Sequence, residues 1–174
     1  MLTWRTPAFW LSTLMMALYL APAALAQPQQ APDADIQQFR DWEVRCPKGG
    51  SSADNRCTMS QLINNPSNDQ PMLRTVVAYP PKGSDPVMVF LMPLGVRLAP
   101  GLQLQVDNGQ PIPFPFQVCV DQGCRADLPL EAELLNQLRS GTKATLSLIG
   151  PNGERLDPDI SLLGFNDASR AIMP

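Results

Sequence analysis

Polar and apolar residues alternate from Phe39 to Cys46, with Trp42, Val44 and Cys46 on one parity and Asp41, Glu43 and Arg45 on the other. A period of two sends successive side chains to opposite faces, so this segment is predicted as a half-buried strand with Trp42 inward. A polar loop separates Cys46 from Cys57, after which CTMSQLI can pair back as a second strand. Met72 to Tyr79 and Pro86 to Leu94 are further apolar segments, split by the turn-forming PPKGSD. The second contains VMVFLMPL, whose unbroken apolar character predicts a central strand covered on both sides.

Leu102, Leu104 and Val106 alternate with Gln103 and Gln105, and Asn108-Gly109 follows. That dipeptide predicts a hairpin through a type I′ turn, which requires positive φ at both central residues. The return strand carries Ile112, Phe114, Phe116 and Val118 on one parity and Pro113 and Pro115 on the other, which predicts a sheet edge. Asp121-Gln122-Gly123 makes the next turn.

Beyond Asp127, PLEAELLNQLRSG predicts a helix. Pro129 lies near its start, Glu131 and Glu133 in its first turns, Arg139 in its last, and Gly141 stops it. Leu130, Leu134, Leu135 and Leu138 form one stripe, the face that docks on a sheet. Strands at Lys143 to Ile149 and around Ile160 to Leu163 complete the chain. The sum is a mostly β protein, an antiparallel sandwich or barrel with one short helix.

The N-terminus changes the picture. Arg5 precedes an apolar run from Phe9 to Ala21, no acidic residue appears before Asp33, and Ala24-Leu25-Ala26 places small residues at −3 and −1. This pattern predicts a signal peptide over residues 1–26, cut between Ala26 and Gln27. No Cys lies near the cut, so no lipid or membrane anchor is expected on the mature chain. Residues 27–38 are polar, rich in Pro and Gln, and predict a flexible leader. The remaining 39–166 are expected as one domain, followed by a tail over 167–174.

Without residues 1–26 the chain of 174 becomes 148, and the net charge moves from −3 to −4 through loss of Arg5. No basic cluster is present, which argues against nucleic acid as a partner. All four cysteines, Cys46, Cys57, Cys119 and Cys124, fall in the exported part, and an even count there predicts two disulfides. Three connectivities exist, of which the local pairs fit hairpins best. The spacings C-x10-C and C-x4-C lack the short knuckles of a zinc site and the C-x-x-C of a thiol oxidoreductase.

The chain contains no histidine. That removes Ser-His-Asp and Cys-His nucleophiles and histidine-ligated metals, and no dinucleotide, P-loop or nucleophile-elbow motif is present. The acid pairs Asp41/Glu43 and Asp157/Asp159 could serve as an acidic hydrolase centre or bind Ca²⁺, but read first as a solvated strand face and a turn. Met59, Met72, Met88, Met92 and Met173 are scattered and read as core filling rather than soft-metal ligands. No catalytic residue, metal or cofactor is expected.

FRDWEVRC at 39–46, Cys57, MPLGVRLAPGLQLQVD at 92–107, FQVCVDQGCRADLPL at 116–130, LLNQLRSGTKATL at 134–146 and ISLLGF at 160–165 together resemble the invasion-associated locus B family of Gram-negative bacteria. The resemblance covers Phe39 to Phe165 and implies an immunoglobulin-like β-sandwich, Cys46 paired with Cys57, and Cys119 paired with Cys124. It also places Trp42 and the Pro93-Leu94-Gly95 bend at structural core positions. It implies no catalytic residue, and a role in entry into host cells only through the family's name. The expected function is that of a periplasmic or secreted, non-enzymatic binding protein that meets an unidentified envelope or host protein as a monomer or weak oligomer. The rival is an acidic-residue hydrolase or Ca²⁺-dependent envelope factor.

Overall fold

The computed structural model describes residues 34–48 and 57–174. The expected signal peptide, its cleavage point and residues 27–33 of the leader lie outside them. Two antiparallel sheets face each other across one core. The first has seven strands in the order β1 (Ala34–Phe39), β2 (Trp42–Pro47), β3 (Thr58–Asn64), β4 (Pro71–Ala78), β5 (Val87–Met92), β9 (Gly123–Pro129) and β8 (Phe116–Val120). The second runs β11 (Arg155–Leu156), β10 (Lys143–Ile149), β6 (Leu102–Val106) and β7 (Ile112–Phe114), with β12 (Asp159–Ser161) also paired to β10. Helices α1 (Ala132–Ser140) and α2 (Phe165–Ala171) complete the described fold.

Alternation places the core as expected. Trp42, Val44, Met59, Leu73, Val77, Met88, Phe90, Leu102, Leu104, Val106, Leu146 and Ile160 are all buried. The sheets touch where the rings of Phe90 and Phe114 lie 5.2 Å apart. They are also joined by hydrogen bonds. The Trp42 indole donates to the Ser161 carbonyl at 2.8 Å, and the buried Gln61 amide donates to the carbonyls of Asp41 and Ser161 while accepting from the Ser161 N–H.

Several expectations are corrected. The folded part begins within the expected leader, because Ala34 to Phe39 pairs along its whole length with β2. Polar side chains do not prevent a strand when the partner strand is already anchored by Trp42 and Val44. The expected tail is largely helical: α2 buries Phe165, Ala168 and Ser169, with Ile172 buried at its end, so the described residues hold two helices rather than one. This helix is shorter than three turns and its period of 3.6 was hard to see in FNDASRA. Trp42 meets Phe165 edge to face at 5.1 Å, and the left-handed Gly164 leads into the helix where a Cβ would collide with the Phe39 carbonyl.

The return strand divides at Pro115 into β7 and β8, which belong to different sheets; each is an edge, as the prolines demand of this stretch. The β6–β7 hairpin forms, but Asp107 rather than Asn108 or Gly109 takes positive φ. Its carboxylate there accepts from the Thr142 hydroxyl at 2.7 Å and from the N–H groups of Thr142 and Lys143. Gly141 fits beside it because a Cβ would lie 2.9 Å from that carboxylate. The Pro93-Leu94-Gly95 bend lies at the surface, with Leu94 exposed, and does not join the core.

Two predictions follow from the core and the Asp107 cap. The Thr75 hydroxyl is fully buried and has no hydrogen-bond partner among the described residues. Thr75→Val therefore raises stability by about 1 kcal/mol in urea titration, since it removes an unmet polar group at nearly constant volume; a fall would show the hydroxyl to be in use. The hydrogen bond from the Thr142 side chain, followed by that from the Lys143 backbone, holds the Asp107 carboxyl below the ordinary aspartate range. A carboxylate depressed in the folded state stabilises above its unfolded pKa, and that contribution is lost as pH falls through the folded pKa. The stability gap between wild type and Asp107→Asn is accordingly present at neutral pH and shrinks below about pH 4 in denaturant melts.

Candidate functional site

The inner face of the seven-stranded sheet is core, and its outer face carries an open groove of about 590 Å³. Register explains its shape. Leu62, Arg74, Leu91, Arg125 and Val118 are paired in turn across β3, β4, β5, β9 and β8, so they form one row on the outer face. At about 4.8 Å between strands the row is about 19 Å long. Toward the β5 terminus the groove is bounded by Met72, Pro93, Gly123 and Val120. Gly123 leaves a gap in that wall, and nothing larger fits: its φ is 137° and a Cβ would lie 2.4 Å from the Met92 carbonyl oxygen.

The lining is mainly apolar and uncovered. Leu62 is 46% exposed, Leu91 39%, Val118 50% and Val120 53%. The run VMVFLMPL is therefore not covered on both sides. Met88, Phe90 and Met92 face the core, whereas Leu91 opens to the groove. An unbroken apolar run carries no parity, so the sequence alone could not say which of its faces was open. Among the methionines, Met59, Met88 and Met92 fill the core, Met72 lines the groove and Met173 is exposed.

Two cations stand in the row. Arg125 donates to Asp127 from Nε at 2.7 Å and from a terminal nitrogen at 2.9 Å, and that hydrogen bond raises its pKa further. The Arg74 guanidinium makes no hydrogen bond or ion pair among the described residues. No carboxylate lies among its outer-face neighbours Leu62, Leu91, Met72 and Val76.

The disulfides brace this surface. Cys119 and Cys124 are opposed on β8 and β9 with Cα atoms 4.0 Å apart, and their bond holds the last two strands together behind Val118 and Val120. Cys46 and Cys57 are bonded with Cα atoms 4.2 Å apart, closing β2 against β3. The acid pairs are occupied by their own chain. Asp41 accepts from the Ser161 hydroxyl and Glu43 from Arg45. Asp157 accepts from Ser147 and Arg155, and Asp159 from Lys143 and Thr145. For Asp157, burial raises the carboxyl pKa, yet the bonds from Ser147 and Arg155 leave it lowered. Among the described residues no group of three acidic or cysteine side chains is placed to hold a metal.

The two-sheet frame, the paired cysteines and the Trp42–Phe165 contact now stand beside known proteins. The model of the invasion-associated locus B protein family matches residues 42–173. The chain belongs to that family. It is 30% identical over 134 residues to the Invasion protein B homologs of Brucella abortus strain 2308 and of biovar 1 strain 9-941, covering 76% of this chain and 75% of each relative. The crystal structure of invasion associated protein B from Bartonella henselae superposes with a TM-score of 0.68 at 20% identity, over 79% of this chain and 94% of that one. The family match runs past Phe165 through α2, consistent with the burial of that helix.

Replacing both Cys119 and Cys124 by Ser removes a crosslink across a short loop and lowers stability by about 2 kcal/mol in denaturant titration. A loss near zero would mean that the β8–β9 ladder alone holds this edge of the invasion-associated locus B domain.

Proposed function

We propose that this chain is exported to the periplasm or beyond and acts there as a non-enzymatic binding protein, with the outer-sheet groove as its contact surface. The observation that carries the reading is an uncovered apolar groove, held on a disulfide-braced sheet, whose charged lining groups among the described residues are the arginines Arg74 and Arg125. Arginine stays protonated and does not serve as an acid or base near neutral pH, whereas apolar walls with a fixed cation suit recognition. The absence of histidine from the chain and the engagement of Asp157 and Asp159 by their own neighbours favour binding over hydrolysis or Ca²⁺ chemistry.

Export is supported by the charged, apolar and small-residue segments at the N-terminus and by two disulfides, which persist in oxidising compartments. Among the described residues no helix is long and apolar enough to cross a membrane. The Brucella relatives are named invasion proteins, and contact with a host or envelope protein during entry is the role this reading extends to the chain.

Two measurements test the proposal. Full-length chain expressed in a Gram-negative host yields a periplasmic or released form whose N-terminal sequence starts at Gln27; retention of Met1 in the cytoplasm overturns export. A photo-crosslinking residue at Leu91 in those cells gives a discrete protein adduct, while one at Lys82, beyond the opposite end of β4, gives none. Equal labelling at both positions overturns the groove as contact surface.

A further inference from the structure

We infer that the groove recognises a peptide segment of a partner protein in which a carboxylate, Asp or Glu, is set among apolar residues, with Arg74 as the residue that reads the acid. The inference rests on the proposed binding role and names the chemistry of what is bound.

Arg74 is the decisive feature. It stands between Leu62 and Leu91 in the outer row, so anything that covers those leucines also removes the guanidinium from water. Burying an unpaired charge is costly, and a purely apolar partner would gain the leucine surface and lose it again on the arginine. The chain carries 16 acidic residues against 13 basic ones, yet among the described residues none supplies a counter-charge to Arg74. Arg125, two strands away in the same row, has its own in Asp127. The face thus offers one satisfied cation and one open one, about 10 Å apart at the usual strand spacing. A partner carrying one carboxylate flanked by apolar side chains meets both needs. Its oxygens can accept two parallel bonds from Arg74.

The surroundings favour a peptide over an anionic lipid chain. The groove is an open trough across five strands rather than an enclosed tunnel, and it ends at β8, whose FQVCV has no charge and no proline within it. The β1 and β7 edges are guarded: Asp35 of β1 is ion-paired with Lys48, and β7 contains Pro113. An edge with free backbone groups can add main-chain hydrogen bonds to a peptide leaving the groove, which an acyl chain cannot use.

The test is selection of random twelve-residue peptides displayed on phage against the mature, disulfide-bonded protein, repeated on Arg74→Glu, with Lys82→Glu as an equal charge change outside the groove. Both variants lie at exposed positions, and a melting curve verifies folding. Peptides selected on wild type carry Asp or Glu among apolar residues, bind Arg74→Glu at least about tenfold more weakly, and bind Lys82→Glu unchanged. Selection on Arg74→Glu turns to Lys or Arg at the same position. Peptides without an acidic preference, or equal binding to wild type and Arg74→Glu, overturn the inference. Binding of oleate that depends on Arg74, with no peptide enriched, also overturns it, while leaving the groove as a binding surface. Loss of the Leu91 crosslink in cells would instead remove the underlying binding role.

Discussion

The structure turns on the hydrogen bonds that clasp its two sheets at Trp42, Gln61 and Ser161. A buried tryptophan withdraws about 150 to 250 Å² from water, on the order of 4 to 6 kcal/mol at 25 cal/mol per Å². That gain survives only if the indole N–H and the neighbouring amide find partners inside the protein. They find them on β12: the indole and the Gln61 amide both donate to the Ser161 carbonyl, and the Ser161 N–H donates back to Gln61. The clasp therefore fixes where the short β12 sits relative to β2 and β3. It also sets the start of α2, because Gly164 follows Ser161 by three residues and must pass close to the Phe39 carbonyl before Phe165 meets the Trp42 ring.

From that point much of the fold was legible in the sequence. Alternation around Trp42, Leu102 and Leu146 identified strands and their inward residues, because one buried face leaves a clear period of two. The segments missed share a physical cause. Strand β1 is mostly exposed, and even Ile36 points to solvent, so its pairing with β2 rests largely on backbone bonds that leave no alternating apolar pattern. Helix α2 is held by its buried side chains against Trp42 and α1, contacts made by residues distant in sequence. The split at Pro115 is a change of sheet, which parity cannot register, since Phe114 and Phe116 keep the same phase on both sides of it. At the Asn108-Gly109 hairpin, local turn chemistry yielded to a longer-range demand: Asp107 adopts the left-handed conformation and its carboxylate serves the N–H groups at the start of β10.

The groove was less legible than the core for a related reason. Leu62 and Leu91 stand out as apolar residues at outward positions only after register assigns them to one row with Arg74 and Arg125. In sequence these residues are spread over more than sixty positions. The unbroken VMVFLMPL suggested burial on both faces, where the structure buries one and opens the other. A hydrophobic outward residue in a central strand is thus the trace that an uncovered apolar face leaves, and it is visible only when the opposite parity is known to be core.

Strand β9 shows how one segment serves both faces. Cys124, Ala126 and Leu128 point into the core, while Gly123, Arg125 and Asp127 belong to the outer side. The disulfide to Cys119 lies on the parity opposite Val118 and Arg125 and steadies β8, with Cys124 reaching the groove's lining. Gly123 completes the separation. Its positive φ lets the chain turn tightly beneath the Met92 carbonyl, and its missing side chain leaves the groove open between Pro93 and Val120. Core packing and the groove's lining are therefore assigned to alternate residues of one strand. A change on the outer parity, at Arg125 or Val118, alters the groove's surface without disturbing the packing that holds it.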